Sequence, residues 1–359
     1  MKKKILFTAY DLNVGGIEKA LINLLNQLKN YNITLVLESK NGIFLNNLPK
    51  NINVIEYKVS KSKNIIYRKI YNRIKLILFK RKIKNKYDFS CSFATYSIPG
   101  AHIALASSKN NVLWIHSNYY KLYGNDEEKL SKFLNSIMTR KFKKIVFVSN
   151  DAMEEITKHY AGLLDKSFVC NNLINAEQIR KLSNEKIDEE KVKDTTFVNV
   201  SRHDEHSKRI FRILNASKKL YKEGYKFNVI FVGDGVNHND YIHYVNSNNL
   251  NEIIKFVGSK KNPYPYYKMA DATILSSNYE GYPVVFLESM VLNKPIISTK
   301  VSDYKDLVGK YGIFVENNDT AIYDGMKKFL NDGFIINEKF DVKKYNEKIQ
   351  KEIEAIINN

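Results

Sequence analysis

The sequence predicts an α/β protein built as two tandem doubly wound parallel-sheet domains that face each other across a cleft. Three observations predict it. Short β-rich runs alternate with helical runs along the chain, the pattern of a parallel sheet covered by helices on both faces. The alternation occurs twice, on either side of a polar stretch. With 359 residues, 44% of them hydrophobic, the chain is long and apolar enough for two cores.

The first set runs as follows. Residues 4–10 read as a strand. Residues 17–29 read as a helix with Ile17, Leu21, Leu24, Leu25 and Leu28 on one stripe. Further strands are expected at 33–38, 54–59, 89–94, 112–117 and 144–149, and Asp151 is placed to cap the next helix. These elements make residues 1–174 an N-terminal domain. Residues 175–194 are polar, charged and free of β-runs, and are read as the interdomain connection. The second set has strands at 197–201, 227–233, 253–258, 272–277 and 295–299, with a helix at 209–221. It makes 195–340 the C-terminal domain. The run 342–357 is helical and makes 341–359 a terminal helix.

Composition narrows the function. No apolar run approaches the length of a membrane span. The apolar stretch behind the basic start is too short for a signal peptide, so no leader is expected. Cys91 and Cys170 are the only cysteines, which leaves no disulfide framework or cysteine metal site. A reducing cytoplasm is the expected compartment. The net charge of +19 points to an anionic partner.

Much of that excess is local. Residues 57–86 hold twelve Lys or Arg and no acidic residue. Within a helix expected at about 63–84, Ile66, Ile70, Ile74 and Ile77 recur at helical spacing, with Tyr67, Tyr71 and Leu78 beside them. This stripe is expected to pack on its own domain. Its cations (Arg68, Lys69, Arg73, Lys75 and Lys80 among them) would meet an anionic membrane surface. No nucleic-acid module is recognisable, so nucleic acid is not an expected partner.

The densest chemistry lies between Glu280 and Glu288. The strand at 272–277 runs into a loop holding Glu280 and Gly281, and Pro283 opens a helical run. Proline suits a first helical position, where its missing N–H would be unpaired anyway. The N–H groups of Val284, Val285 and Phe286 would then point out of a helix start, a ready site for phosphate. One carboxylate stands before that site and the other along the same helix. Carboxylates accept hydrogen bonds from hydroxyls, so a phosphate between two hydroxyl-rich groups suits the arrangement, as in a nucleotide sugar.

Four more groups sit where the strands end. Gly15 and Gly16 form a strand-to-helix turn that lets backbone N–H groups approach a ligand. They do not make the GxGxxG fingerprint of dinucleotide sites. His116 ends the strand at 112–117, on the side where open α/β sheets bind ligands. Arg202 and Lys208 are two cations in a loop before a helix, suited to neutralising a diphosphate. Gly233 ends the strand at 227–233 in a glycine turn. No His or carboxylate cluster has metal-ligand spacing and no Asp-x-Asp triplet occurs, so no metal site is expected.

Glu280 and Glu288 resemble the Glu-x7-Glu motif of retaining family 4 glycosyltransferases. Gly15-Gly16-Ile17-Glu18 resembles their Gly-Gly-x-Glu loop, Arg202 and Lys208 their Arg-x5-Lys pair, and Gly233-Asp234-Gly235 their Gly-x-Gly turn. His203, after Arg202, departs from the apolar residue usual there. The resemblance implies the GT-B fold of two Rossmann-like domains, with the last helix crossing back onto the first. It implies a nucleotide-diphosphate sugar as donor substrate, a UDP-sugar being expected, and no cofactor or metal. Catalytic roles would fall to Glu280, which contacts the donor sugar, to His116, which positions it, and to Arg202 and Lys208, which hold the leaving diphosphate. Donor binding would involve Gly15, Gly16, Gly233, Val257 at the nucleobase, Gly281, Val284, Val285, and Glu288 at the ribose. Substitution would proceed at the front face, since no nucleophile is evident. The acceptor would be a glycan or lipid-linked glycan in cell-surface polysaccharide assembly, met by a cytoplasmic enzyme peripheral to the inner face of the membrane. Two alternatives stay open. A sugar-nucleotide epimerase or other GT-B enzyme would be told apart by its need, or not, for an acceptor. A non-catalytic anion- or nucleic-acid-binding protein would bind no nucleotide sugar.

Overall fold

The computed structural model describes residues 2–13, 15–190 and 193–358. The chain divides into two compact units, Met1–Leu173 with Tyr345–Asn359, and Ile174–Lys344.

The first unit is built on strands β1 (Lys4–Ala9), β2 (Asn32–Leu37), β3 (Asn53–Glu56), β4 (Phe89–Ser92), β5 (Asn111–Ile115), β6 (Lys144–Phe147) and β7 (Ser167–Val169). They pair in parallel in the order β3-β2-β1-β4-β5-β6-β7. Successive residues Ile5, Leu6 and Phe7 are all buried, as are Leu113, Trp114 and Ile115. A strand covered on both faces needs apolar side chains at every position, hence the unbroken runs. The covering helices are α1 (Gly16–Gln27), α2 (Ile65–Ile83), α3 (Ile98–Ser107), α4 (Tyr119–Leu122), α5 (Glu127–Ser136) and α6 (Asn150–His159). The order reverses at β1, whose neighbours are β2 on one side and β4 on the other.

Two expectations are corrected in this unit. Asp151 does not cap α6. Ser149 does, its Oγ accepting from the Ala152 N–H at 3.3 Å. Asp151 sits within the first turn and accepts instead from Asn118 Nδ2 and Lys121 Nζ, both at 3.1 Å. The second correction concerns α2. Its expected inward stripe points outward, with Ile66, Ile70, Ile74, Ile77 and Leu78 between 44% and 72% exposed. The face that packs carries Leu76, Phe79 and Ile83, against Tyr57, Ile103, Leu6 and Val36. Asn72 fixes that rotation by accepting the Ser60 N–H at 2.7 Å and donating to the Ser60 carbonyl at 3.3 Å. Apolar residues fall on both sides of this helix, so spacing alone did not say which side is inward.

The second unit begins with α7 (Ala176–Leu182), inside the stretch read as a connection. Asn175 caps it by accepting the Gln178 N–H at 3.1 Å, and Ala176 and Ile179 are buried. The following residues are tied to the same unit: Tyr266 donates to Glu189 at 2.7 Å and Asn262 to the Leu182 carbonyl at 2.9 Å. The stretch is thus a packed element, its helix too short to show a period. Lys191 and Val192 of that stretch lie outside the described residues. The sheet follows: β8 (Thr195–Val200), β9 (Phe227–Val232), β10 (Ile254–Phe256), β11 (Ala272–Leu275), β12 (Ile296–Thr299) and β13 (Gly312–Val315). The strand order is β10-β9-β8-β11-β12-β13, all parallel. Helices α8 (Ile210–Lys222), α9 (His238–Ser247), α10 (Tyr264–Met269) and α11 (Val284–Val291) connect the strands, and α12 (Ala321–Asp332) follows the last of them. The order reverses at β8, between β9 and β11.

The last helix is α13 (Val342–Asn358), which joins the first unit from Tyr345 onward. Its apolar stripe of Ile349, Ile353, Ile356 and Ile357 is buried. Lys144 Nζ donates to the Ile356 carbonyl and Asn110 Nδ2 to that of Ile357, both at 2.9 Å, closing the helix end.

One buried cation ties the site loops of the second unit together. Arg212, on α8, donates to the Ser276 carbonyl at 3.1 Å, to Asn317 at 2.7 Å and to Asp319 at 2.9 Å. Arg212→Met keeps the packing but leaves those acceptors unmet, an expected loss of about 2–3 kcal/mol. Urea unfolding checks this, and an unchanged midpoint would show that the network contributes nothing.

Candidate functional site

The C-terminal ends of β8 and β11 flank the reversal of strand order in the second unit, the place where open α/β sheets form a ligand crevice. The loops leaving these two strands are fastened to each other. Ser276 Oγ donates to the carbonyls of Lys208 and Arg209, each at 2.9 Å, and the Asn278 N–H donates to the Ser207 carbonyl at 2.8 Å.

Lys208 and Glu280 meet here as an ion pair, Lys208 Nζ donating to Glu280 Oε1. Their side chains are only 19% and 13% exposed. Ser277 Oγ donates to the same oxygen at 2.6 Å, and Thr299 Oγ1 holds the Ser277 carbonyl at 2.6 Å. Ser302 Oγ holds the carbonyl of buried Gly281 at 2.6 Å. Glu280 is therefore fixed from three strand ends. A partly dehydrated cation and carboxylate side by side, with hydroxyls around them, can bind phosphate and sugar hydroxyls.

Helix α11 starts beside this pair. Pro283 is the cap rather than the first helical residue, with φ −69° and ψ 111°, and no side chain caps the helix. Val284 and Val285 are the first two helical residues, whose N–H groups have no intrahelical acceptor. The third expected N–H, that of Phe286, is taken by the Pro283 carbonyl at 3.0 Å. The anion site is thus narrower than the sequence suggested.

Glu288 is buried deeper in α11, 4% exposed. Tyr267 donates to its Oε2 at 2.7 Å and Tyr264 to its Oε1 at 3.4 Å. Burial, then the Glu288 charge, push the Tyr267 hydroxyl well above the ordinary phenol range, so it stays a donor. Both tyrosines come from α10, and sequence spacing did not disclose them.

Arg202 stands apart from Lys208 in its bonding. Its side chain is 70% exposed and donates to Asp204 at 3.0 Å. Burial pushes the Asp204 carboxyl up, but the Ser207 hydroxyl and Arg202 outweigh it and leave it below its usual value. The glycine turn after β9 closes on the same loop. Gly233 has φ +152°, and a Cβ there would lie 1.9 Å from the Ser201 carbonyl oxygen. Only glycine fits. Gly233 lets the chain approach Ser201, a packing role the sequence did not reveal. The Val257 N–H bonds the Phe231 carbonyl at 3.0 Å, and the Gly258 carbonyl accepts the Gly233 N–H at 3.0 Å.

His203 is fully buried, with its Nδ1 2.7 Å from that of His238. Burial, then His238, push it down to about 4, against the pull of Asp234. Sequence reasoning marked His203 as a departure but missed its partners, which lie more than thirty residues on.

In the first unit the strand order reverses at β1 and β4. Gly15 caps α1 in an extended conformation without a side-chain bond, and Gly16 has open space around it. A Cβ on Gly15 would meet the Glu18 carboxylate at 2.0 Å. Glu18 accepts from the Tyr96 hydroxyl, from the segment after β4, at 2.9 Å, and burial raises its carboxyl. Val14 of this loop lies outside the described residues.

His116 follows β5, its ring 4.3 Å from that of Phe93 and stacked near Trp114. Its Nε2 is buried without a hydrogen-bond partner. Burial pushes it down to about 3, a hydrogen bond to the Phe93 backbone opposing this. The imidazole is neutral near pH 7.

These features agree with three comparisons. Residues 181–351 match the family model described as Glycosyl transferases group 1, a match that lies mostly in the second unit. A glycosyltransferase of Methanocaldococcus jannaschii is 25% identical over 233 residues, 59% of this chain and 57% of that protein. The N-acetylgalactosamine-N,N'-diacetylbacillosaminyl-diphospho-undecaprenol 4-alpha-N-acetylgalactosaminyltransferase of Campylobacter jejuni is 24% identical over 226 residues, 62% of this chain and 58% of that protein. The chain thus matches less than three fifths of the length of either relative. Among solved structures, HepE of Anabaena in complex with UDP and glucose superposes with a TM-score of 0.78 at 16% identity, covering 98% of this chain and 100% of that one. The fold is GT-B, two parallel-sheet α/β domains of seven and six strands.

His116 yields a pH dependence. Its folded pKa lies below the ordinary 6.5, so the unfolded chain takes up the proton first as pH falls. The stability tied to its neutral form is complete above about pH 6.5 and lost on the way down towards 3, at up to about 1.4 kcal/mol per pH unit. Between pH 7 and 5 the wild type should lose about 1–2 kcal/mol more than His116→Gln in urea unfolding. Equal losses would show that His116 titrates as if exposed.

Proposed function

We propose that this chain is a retaining glycosyltransferase that moves a sugar from a nucleotide-diphosphate sugar, a UDP-sugar, to a glycan or lipid-linked acceptor in cell-surface polysaccharide assembly. The observation that carries the reading is the Lys208–Glu280 pair at the strand-order reversal, beside an uncapped helix start. The family match over the same unit supports it. The C. jejuni relative, named for a diphospho-undecaprenol-linked acceptor, supports a lipid-linked one.

Lys208, Arg202 and the N–H groups of Val284 and Val285 hold the diphosphate and stabilise the charge that grows on it as the glycosidic bond breaks. Lys208 has three donors, enough to keep Glu280 while binding phosphate. Glu280 orients the donor sugar through its hydroxyls. Glu288 accepts from the ribose, and Gly233, Gly281 and Val257 offer backbone to the nucleotide. In the first unit Gly15, Gly16 and His116 are assigned to the donor, with His116 acting as a neutral hydrogen-bonding group. The acceptor hydroxyl attacks at the front face, and its proton passes to the departing diphosphate oxygen. No resident cofactor or metal takes part in this scheme.

Lys208→Ala and Glu280→Gln should each lower kcat/KM by about 10²–10³-fold or more with the fold retained by circular dichroism. Transfer from UDP-, GDP- and ADP-sugars, with the anomer of the product read by NMR, tests donor class and retention together. Turnover like that of the wild type in either variant would remove these residues from the site.

The acceptor side is proposed to lie at an anionic membrane, reached from the cytoplasm. Among the described residues no helix is long and apolar enough to cross a membrane. The outward isoleucines of α2 are instead interleaved with Lys69, Arg73, Arg81 and Lys82. A cavity of about 350 Å³ beside its end is lined by Lys80, Arg81 and Lys84. Apolar insertion adds to about 1 kcal/mol per cation near an anionic surface. The protein should co-sediment with vesicles containing phosphatidylglycerol, less so in high salt, and hardly with phosphatidylcholine alone. The double variant Ile70→Glu, Ile74→Glu should lose binding while keeping its melting temperature. Binding indifferent to lipid charge would refute the surface.

A further inference from the structure

The turn after β9 and the loop after β8 enclose a cluster that the proposed transfer does not use. His203, Asp234 and His238 each present a ligand atom, and these atoms all lie within 4.8 Å of one another. We propose that they form a binding site for a divalent first-row transition-metal ion, zinc in the first place, which clips the 233–238 turn to the 201–208 loop.

The donor set fits that ion. Two imidazole nitrogens and a carboxylate oxygen suit zinc and its neighbours rather than magnesium or calcium. Three protein ligands with one position left for water is a common zinc arrangement. Asp234 is exposed, so the open position and the entry path lie on its side.

The backbone holds the ligands in place. The His203 N–H donates to the Asp234 carbonyl at 2.9 Å, and the Asn237 N–H to the His203 carbonyl at 3.1 Å. The two segments are thus bonded in both directions. A Cβ on Gly235 would lie 2.4 Å from the His203 carbonyl oxygen, so the turn can wrap this closely only with glycine there. Asp234 Oδ1 accepts the N–H of Gly235 at 2.7 Å, which orients the carboxylate and leaves its second oxygen for the ion.

The histidine pair itself gives a second argument. The Nδ1 atoms lie 2.7 Å apart, so without a metal one ring must donate to the other. His203 Nε2 is buried with no hydrogen-bond partner. The rings of Phe231 and Phe256 stand at 85° and 74° to it. A metal would take both Nδ1 lone pairs, so that neither ring needs to donate to the other; the ring hydrogens then lie on Nε2, where that of His203 has no hydrogen-bond partner with or without the ion. Tetrahedral zinc needs ligand nitrogens about 3.3 Å apart. His238 is half-buried at the first residue of α9, so its ring can supply the extra ~0.6 Å while His203 stays fixed.

The test uses untagged full-length protein stripped with a chelator. Cobalt(II) is titrated in and followed by visible absorption, then displaced with zinc, and the melting temperature is recorded with and without zinc. The site requires one equivalent bound with a tetrahedral-type absorption band, displaced by zinc, and a zinc-dependent rise in melting temperature. His238→Gln and Asp234→Asn alter half-buried and exposed side chains, and each should weaken binding at least about tenfold, in the range seen when a metal site loses a supporting group. His203→Gln should do the same, but its residue is fully buried, so the other two variants decide. Absence of stoichiometric cobalt binding would leave a hydrogen-bonded histidine pair only and overturn the proposal. Undiminished binding in His238→Gln and Asp234→Asn would overturn it equally, by placing the ion elsewhere.

Discussion

The Lys208–Glu280 ion pair is the contact on which the second unit's site depends. It joins loops from two strands that are adjacent in the sheet yet more than seventy residues apart in the chain. Both groups are mostly withdrawn from water, and their attraction offsets part of the cost of removing them from it. The surrounding bonds explain why the pair can persist. Ser277 shares Glu280, Thr299 holds Ser277, and Arg212 holds Ser276 from behind. These groups come from β8, β11, β12 and α8, so the pair inherits its position from the sheet. Loop flexibility, which would blur a phosphate site by an ångström, is suppressed by hydroxyl-to-carbonyl bonds rather than by apolar packing.

That construction explains what could be read from the chain. Strands buried on both faces must be apolar at successive positions, so β1, β5, β8 and β11 stood out as runs. Glycines, cations and carboxylates after such runs mark strand ends, and the family resemblance singled out Lys208, Glu280, Gly233 and His116 among them. What remained hidden depends on partners distant in sequence. Nothing near Glu288 announces Tyr264 and Tyr267, and nothing near His203 announces Asp234 and His238. Other elements were missed for another reason: α7 has too few residues for a helical period to show, and β7 and β13 lack an unbroken buried run.

Helix α2 marks a different limit. Periodicity tells which residues share a face, and it did so for Ile66, Ile70, Ile74 and Ile77. It cannot tell whether that face meets the protein or something else. The rotation of α2 is set by Asn72 on Ser60 and by Phe79 against Tyr57, whose rings lie 5.1 Å apart. A polar clamp and an aromatic pair thus outrank a longer aliphatic row, which is stable in water only because lysines and arginines are interleaved with it.

The electrostatics of the two units differ in kind. At the strand ends of the second unit lie fixed charges: Lys208, Arg202, Glu280 and the start of α11. At the end of β5 in the first unit lies an uncharged group, His116. His116 is kept unprotonated by burial, and the carboxyl of Glu18 is raised by the same cause. A neutral imidazole can orient a hydroxyl but cannot offset a developing negative charge. In the proposed transfer, the charges that would stabilise a leaving diphosphate are those of the second unit. Were His116 cationic, it would favour anions such as phosphate over uncharged hydroxyls.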